Sequence, residues 1–314
     1  MNRHLVTGGA GFIGSALVRG LLRDGASRVT VVDNLLTGNE RNLDEVRDSV
    51  DFLNVDIRDY NALRKAMDGV EVVFHEAAIP SVPRSIHDPV PSHDVNVNGT
   101  FNVLRAAKDS GVRRVVYAAS SSCYGDTLVL PKVETMQTNP KSPYAAQKLM
   151  GEYYMSVWAS CFGLETVSIR YFNVFGPRQD PTSPYSGILS LFMTALLDRR
   201  SPTLFGDGGQ SRDFTFVEDV VALNLKAAKA PAEVVSGKVY NGGNGGRITL
   251  NEAWSLLQGI ERVSIPPVYG PPREGDVRDS QADTVAAVRD LGHSPQYTFE
   301  EGMRLTLEWY RNSR

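Results

Sequence analysis

Residues 5–14 read LVTGGAGFIG: an apolar strand runs into Gly8, Gly11 and Gly14, spaced three apart, and then into a helix starting near Ile13. Glycines at these places allow a tight strand-to-helix turn, close approach of backbone to a pyrophosphate, and close helix–strand packing. The helix start adds unclaimed N–H groups and the positive end of its dipole. Working outward, HLVTGG, RVTVVDN, VDFLNVD, VEVVFHEAA, RRVVYAASS and ETVSIRYFN each read as a strand rich in valine and isoleucine. Helix-period stretches lie between them. That alternation implies βαβ units with right-handed crossovers, and near-continuous apolar runs suit strands covered on both faces. The expected fold is α/β: a Rossmann-type doubly wound parallel sheet with a smaller α/β C-terminal substrate-binding region.

The boundary is set by composition. After about residue 174 glycine and proline become dense, as in FGPRQDPTSPYSG, FGDGGQSRD, YNGGNGGR and IPPVYGPPREGD, with helical stretches around 186–199, 218–230 and 249–258. Residues 1–173 are read as the dinucleotide-binding domain and 174–314 as the smaller region. The sheet is expected to continue in RYFNVFG and in KVYNGG, near 237–243.

At 314 residues and 42% hydrophobic, the chain can bury a large core. Its formal charge of −3 gives no field for nucleic acid or an acidic membrane, so neither is an expected partner. Cys123 and Cys161 are too few for a disulfide framework or zinc cluster, so no metal is expected. No run approaches the roughly 18 apolar residues of a membrane span, and a soluble, cytoplasmic setting is expected.

Four further features carry chemistry. Asp33, followed by Asn34, closes the second strand, where a carboxylate can accept from both ribose hydroxyls of an adenosine and would repel a 2′-phosphate. NAD is therefore expected over NADP. Asp56 and Ile57 follow the third strand and can meet adenine, although a capping role suits Asp56 equally. Ala119 to Ser122 end the fifth strand at its carboxyl end, where open α/β sheets bind ligands. Finally, Tyr144 and Lys148 in SPYAAQK are four apart, on one helix face. An ammonium there favours phenolate and would draw the phenol from its usual pKa of about 10 towards neutral. A helix with one tyrosine and one solvated lysine has the same spacing; the order of the parts, glycine turn, acidic strand end, serine run, then Tyr144 and Lys148, favours the chemical reading.

With TGGAGFIG, HEAA, NVNGT, SSSCYGD, SPYAAQK, RYFNVFGPRQ, SRDFTFVEDV and REGDVRDSQAD along nearly its whole length, the chain resembles the extended short-chain dehydrogenases/reductases. Within them it is similar to the UDP-hexose 4-epimerases, most of all the bacterial UDP-N-acetylglucosamine 4-epimerases, which share SVPRS, FNVFGPRQDP and GDVR-x-S-x-AD. The resemblance implies NAD held by Gly8, Gly11, Phe12, Ile13, Gly14, Asp33, Asn34, Asp56 and Ile57. It adds Ala77, Ala78, Asn96, Tyr117, Tyr144, Lys148 and Phe172 along the cofactor channel. It implies Tyr144 as acid/base, Lys148 lowering its pKa, and Ser120 or Ser122 assisting proton transfer. It implies a UDP-sugar contacted by Ser81, Ser121, Ser122, Asn173, Gln179, Arg212, Arg273, Asp276 and Ser280, the arginines gripping the diphosphate.

The implied reaction oxidises the sugar at C4, lets the 4-keto sugar turn over about its diphosphate, and reduces its other face. Related 4,6-dehydratases carry an acidic pair beside the serine/threonine; SSSCYG has none, which argues against elimination. A UDP-glucuronate 4-epimerase is the second reading, with Arg84 or Arg178 meeting the sugar carboxylate, and a non-catalytic NAD-binding regulator a remote third. Ser280 stands where some epimerases restricted to unacetylated sugars place a tyrosine, so an N-acetyl group should fit. The resemblance also implies a homodimer through helices around 90–110 and 143–161, with Leu149, Tyr153, Val157 and Trp158 as interface candidates.

Overall fold

The computed structural model describes residues 3–180, 187–271 and 277–313. The first half runs β1 (His4–Thr7), α1 (Phe12–Arg23), β2 (Val29–Asp33), β3 (Val50–Asn54), α2 (Tyr60–Ala66), β4 (Val72–His75), α3 (Val82–His87), α4 (Pro89–His93), α5 (Thr100–Asp109), β5 (Arg114–Ser120), α6 (Pro143–Phe162) and β6 (Glu165–Tyr171). The second half runs β7 (Val174–Phe175), α7 (Ile188–Leu197), β8 (Thr203–Phe205), β9 (Ser211–Arg212), β10 (Thr215–Phe216), α8 (Val217–Lys229), α9 (Ala232–Val235), β11 (Lys238–Gly242), β12 (Ile248–Thr249), α10 (Leu250–Glu261), β13 (Val268–Gly270), α11 (Val285–Leu291) and α12 (Phe299–Asn312).

Seven strands form one sheet in the order β11–β6–β5–β4–β1–β2–β3, and every pairing in it is parallel. The chain starts at β1 in the middle, winds outward through β2 and β3, then returns to β4 on the other side of β1. The crevice above the carboxyl ends of β1 and β4 is therefore the switch point at which such sheets bind ligands.

Strand side chains alternate between two cores. Val6, Val31, Phe74, Val116 and Val167 face a core built with α1, α8 and the later helices α7, α10 and α12. Leu5, Val32, Val73, Val115 and Tyr117 face α2, α5 and α6. The C-terminal helices thus share the first core, which gives the second half no separate interior of its own. Arg114, almost fully buried, is satisfied rather than stranded. Its Nη1 donates to the carbonyls of Ala227, Ala228 and Ala230 at 2.8, 3.0 and 2.7 Å, and Nη2 pairs with Glu165 at 2.7 Å. The guanidinium so closes the carbonyl end of α8.

One expectation needs correction. RYFNVFG does not extend the sheet beyond β6, because Asn173 takes a left-handed φ of 31° and turns the chain out of it. Val174–Phe175 instead pairs with Thr215–Phe216 in a separate two-stranded ribbon. The edge beside β6 is taken by β11, where Tyr240 registers with Ile169.

Candidate active site

A cavity of about 1100 Å³ opens above the carboxyl ends of β1 to β6. Its first end is the glycine turn. Gly8 adopts φ +70°, and a Cβ there would meet the Ala77 nitrogen at 2.7 Å; a Cβ on Gly14 would meet the Gly8 carbonyl oxygen at 2.1 Å. Side chains would fill the turn, and Gly11, at the N-cap of α1, has none with which to cap the helix. Beside the turn, Asp33 accepts from Ala10 N at 3.0 Å and Leu35 N at 2.8 Å. Burial pushes its carboxyl above the usual range while those two bonds hold it down. Each carboxylate oxygen keeps a further lone pair for a hydroxyl donor. A backbone cradle next to an acceptor-only carboxylate fits a dinucleotide carrying a free ribose diol, as NAD does.

Asp56 also lines the cavity, but its carboxylate is largely claimed. Arg58 Nε, Arg58 N and Asn34 Nδ2 donate to it at 2.9, 2.8 and 2.8 Å. The Arg58 bonds outweigh burial and hold its pKa at about 2.

The chemical end is built by β5 and α6. Ser120, the last residue of β5, leaves its Oγ to accept from Ser122 N at 3.2 Å and Ser122 Oγ at 2.9 Å. Its hydroxyl draws the pKa of the Tyr144 phenol down, yet burial is the larger effect and pushes the phenol up to about 12. Two serines place Tyr144. Ser142 Oγ caps α6 by accepting from Ala145 N at 3.2 Å, and buried Ser85 accepts from Tyr144 N at 3.1 Å, tying α6 to α3. One turn on, Lys148 Nζ donates to Ala118 O at 2.7 Å and lies 4.9 Å from the Tyr117 ring centre. Burial lowers Lys148 to about 8, with Glu76 and Glu152 pulling upward. Glu76 lies on the cavity wall, and Tyr171 Oη donates to its Oε1 at 2.7 Å.

Opposite lie Asn173, Gln179, Arg212 and Ser280, all lining the cavity. Asn173 Nδ2 donates to Asp213 O at 3.2 Å and Arg212 Nη1 to Arg278 O at 3.1 Å. Ser280 N donates to Ser211 O at 3.1 Å, which fixes Ser280 against β9. Arg273 and Asp276 lie outside the described residues.

Residues 4–243 match the model of the Epimerase family, described as NAD dependent epimerase/dehydratase. The chain belongs to that family. Among curated relatives of this epimerase-family chain, the UDP-glucose 4-epimerase of Mycolicibacterium smegmatis is 40% identical over 314 residues, 99% of each protein. The solved UDP-N-acetylglucosamine 4-epimerase of Methanobrevibacter ruminantium M1, in complex with UDP-N-acetylmuramic acid, shares 34% identity. It matches at a TM-score of 0.94, covering 100% of this chain and 99% of that one. The UDP-glucose 4-epimerase of Thermotoga maritima with UDP-glucose gives 36% and 0.94 over 99% of each chain.

Within this epimerase fold the cavity gathers Gly8, Gly11, Phe12, Ile13, Gly14, Asp33, Asn34, Asp56, Ile57, Ala77 and Ala78 with Ser81, Ser120, Ser121, Ser122 and Tyr144. Four sequence candidates stand behind its wall. Asn96 is buried and braces the Ile79 backbone, accepting from Ile79 N at 2.8 Å and donating to Ile79 O at 3.2 Å. Tyr117 lies under Lys148, Phe172 packs on Tyr124, and Lys148 itself is covered. The expected lowering of Tyr144 by Lys148 is reversed here: the ammonium is turned to Ala118 O, and desolvation decides. Arg178 pairs with Glu45 at 2.7 Å, whereas Arg84 lines the cavity.

Sequence reasoning passed over Glu76, Tyr171 and Lys132, which also line it. Glu76 had a usable signal, since it ends an apolar strand as Asp33 does. Lys132 had none: it follows a proline in a loop, and an isolated bridge to Ala282 ties that loop to the wall.

Proposed function

We propose that this chain is an NAD-dependent UDP-sugar 4-epimerase acting through a 4-keto sugar, with Tyr144 as acid and base. The observation that carries the reading is that Tyr144 and the bonded pair Ser120 and Ser122 line the same cavity as the glycine turn and Asp33. The full-length likeness to 4-epimerases with UDP-sugar complexes supports the substrate class. When bound, NAD supplies a reversible hydride acceptor for sugar C4 and, in its oxidised form, a positive charge that favours phenolate.

Tyr144 takes the proton of the C4 hydroxyl, and Ser120 orients that hydroxyl by accepting or donating as the proton moves. Lys148, an ammonium below about pH 8, binds the nicotinamide ribose, and the lowering of Tyr144 falls to the charge of the oxidised cofactor. Asn173, Gln179 and Arg212 hold the diphosphate at the far wall, with Arg273 as a further grip on it and Asp276 on the uridine ribose, so the sugar pivots while its anchor stays in place. Ser280 leaves room at the sugar for an N-acetyl group. Lining of the cavity by Arg84 favours one second reading, a UDP-glucuronate 4-epimerase.

The test is NMR of purified protein with UDP-glucose, UDP-N-acetylglucosamine and UDP-glucuronate separately. Inversion at C4 of the first two is expected; inversion of UDP-glucuronate alone installs the second reading, and none at all overturns both. Tyr144→Phe should keep UDP binding and lose roughly 100-fold or more in kcat. Ser280→Tyr should depress kcat/KM for the acetylated sugar more than for UDP-glucose, and equal loss on both would remove Ser280 from the sugar pocket.

The dimer belongs to the same proposal. Met150, Tyr153 and Val157 form an exposed apolar stripe on α6, with Ile86 and Val90 exposed on α3 and α4, which pack against it. Among the described residues no helix is long and apolar enough to cross a membrane. The two free thiols, Cys123 and Cys161, suit a reducing compartment such as the cytoplasm.

A further inference from the structure

The strand order places four carboxyl-end residues in a row across the cavity floor: Asp33 on β2, Gly8 after β1, Glu76 after β4 and Ser120 on β5. A dinucleotide whose adenosine meets Asp33 and whose reactive end meets Tyr144 must pass over Glu76. The placing of Glu76 is built, not incidental. Its neighbour Ala77 abuts the Gly8 turn. Tyr171 Oη, at the end of β6, donates to its Oε1 at 2.7 Å across the end of β5. Asn224 Nδ2 of α8 donates to Tyr171 Oη at 2.8 Å, and Asn224 is itself anchored to Val220 O at 2.8 Å. This chain runs in one direction, amide to phenol to carboxylate, and leaves Glu76 as the terminal acceptor. A leucine or glutamine would fill the space, but only a carboxylate adds negative charge there.

We propose that Glu76 is an electrostatic positioning residue: its carboxylate stabilises the cationic, oxidised form of a bound NAD and so resists its reduction. The proposal rests on the NAD-dependent reading above. A unit charge on this partly desolvated wall acts more strongly than one in bulk water, because less water screens it. The charged and titratable groups facing Glu76 are Lys148 from α6 and Tyr171 from β6; its neighbour His75 is held neutral by burial, between Thr7 and Thr100. Burial raises the Glu76 carboxyl to about 7 in the free chain, with Tyr171 and Lys148 pulling it down. A cation laid over it lowers it further, so the carboxylate is charged at neutral pH when it is needed.

The experiment measures reduction of enzyme-bound NAD by cyanoborohydride in the presence of UDP, which needs no sugar turnover. A hydride leaves the boron and adds to the nicotinamide ring; cyanoborohydride is oxidised and NAD reduced, followed by near-ultraviolet absorbance. Glu76→Gln keeps the size and the acceptor for Tyr171 while removing the charge. It should react roughly tenfold faster than wild type at pH 8. The two proteins should converge at a pH below the free chain's value of about 7, where even beneath the cation Glu76 is protonated and neutral like glutamine. Equal rates at pH 8, with NAD bound to both, overturn the proposal and leave the epimerase reading standing. Absence of C4 inversion by the wild type defeats that reading instead. Should Glu76→Gln fail to fold, Tyr171→Phe removes the donor without the charge. It should move the pH at which the wild-type rate changes upward, and an unmoved profile counts against Glu76.

Discussion

Lys148 carries its charge at a cost. The ammonium is covered by α6 and β5, and burial lowers its pKa from 10.5 to about 8 despite Glu76 and Glu152. A folded pKa below the unfolded one means that the unfolded chain binds the proton more tightly, so the charge destabilises the fold at neutral pH. At about 1.36 kcal/mol per unit the penalty is ~3 kcal/mol, against ~1 kcal/mol for the bond to Ala118 O. Lys148→Met should therefore be more stable than wild type by ~2 kcal/mol at pH 7 in denaturant unfolding. It should lose most activity, and the stability gain should shrink as the pH rises from about 8 towards 10.5. A variant less stable than wild type at pH 7 would show that the bond to Ala118 outweighs burial. Tyr144, Lys148 and Ser120 were legible in the sequence because helix spacing and strand-end position are local properties. The state of Tyr144 was not, because a phenol's pKa depends on how much water the folded cavity leaves it.

Helix α6 is a ruler that sets three groups four residues apart: Tyr144, Lys148 and Glu152. Its start is fixed by Ser142 and Pro143, and its end by Gly163 at φ +69°. Gly151 lets it close on β5, since a Cβ there would meet Tyr117 Oη at 2.2 Å. Glu152 then locks the rotation. Its two oxygens accept from Arg170 Nε and Nη2 of β6 at 3.0 and 2.8 Å, both side chains being buried, and the guanidinium lies 4.7 Å from the Tyr124 ring centre. Removing one partner of such a pair strands the other, so Glu152→Gln should cost ~3–5 kcal/mol. The double variant Glu152→Leu with Arg170→Met should recover most of it, since no charge then stays buried alone. Urea unfolding of wild type and the two variants checks this, and a double variant no more stable than Glu152→Gln would mean that the pair is not coupled. The helix itself could be read from SPYAAQK; its partner on β6 could not, because ETVSIRYFN reads as an apolar strand in which one arginine gives no sign of facing inward.

Across the whole molecule, the parallel sheet was legible because buried strands announce themselves as valine-rich runs between helical periods. The short pairings of the second half were not: Val174–Phe175 and Thr215–Phe216 are two residues each, too brief to carry a period. The interface candidates divide for a similar reason. Helical spacing put Leu149 and Trp158 with Tyr153 and Val157, yet Leu149 and Trp158 are buried within the chain. Trp158 is held by Phe101 and Tyr154 in edge-to-face contacts at 5.3 and 5.7 Å. That leaves Met150, Tyr153 and Val157, spaced three and four along α6, facing out beside Ile86 and Val90, the last two 61% and 72% exposed. An apolar stripe on a helix is normally covered, and two copies related by a twofold axis would cover each other's. Val157→Glu places a charge at one end of that stripe, within the proposed interface. Being exposed in the single chain, it should leave the fold intact, with a melting temperature close to the wild type extrapolated to low concentration. Sedimentation should show wild type at twice the chain mass and Val157→Glu at the chain mass of 34.4 kDa. A wild type that sediments as a monomer, or a variant that stays a dimer, would move the interface off α6. Because Tyr144 and Lys148 begin the same helix, loss of the dimer should also lower kcat while leaving UDP affinity at the opposite wall unchanged.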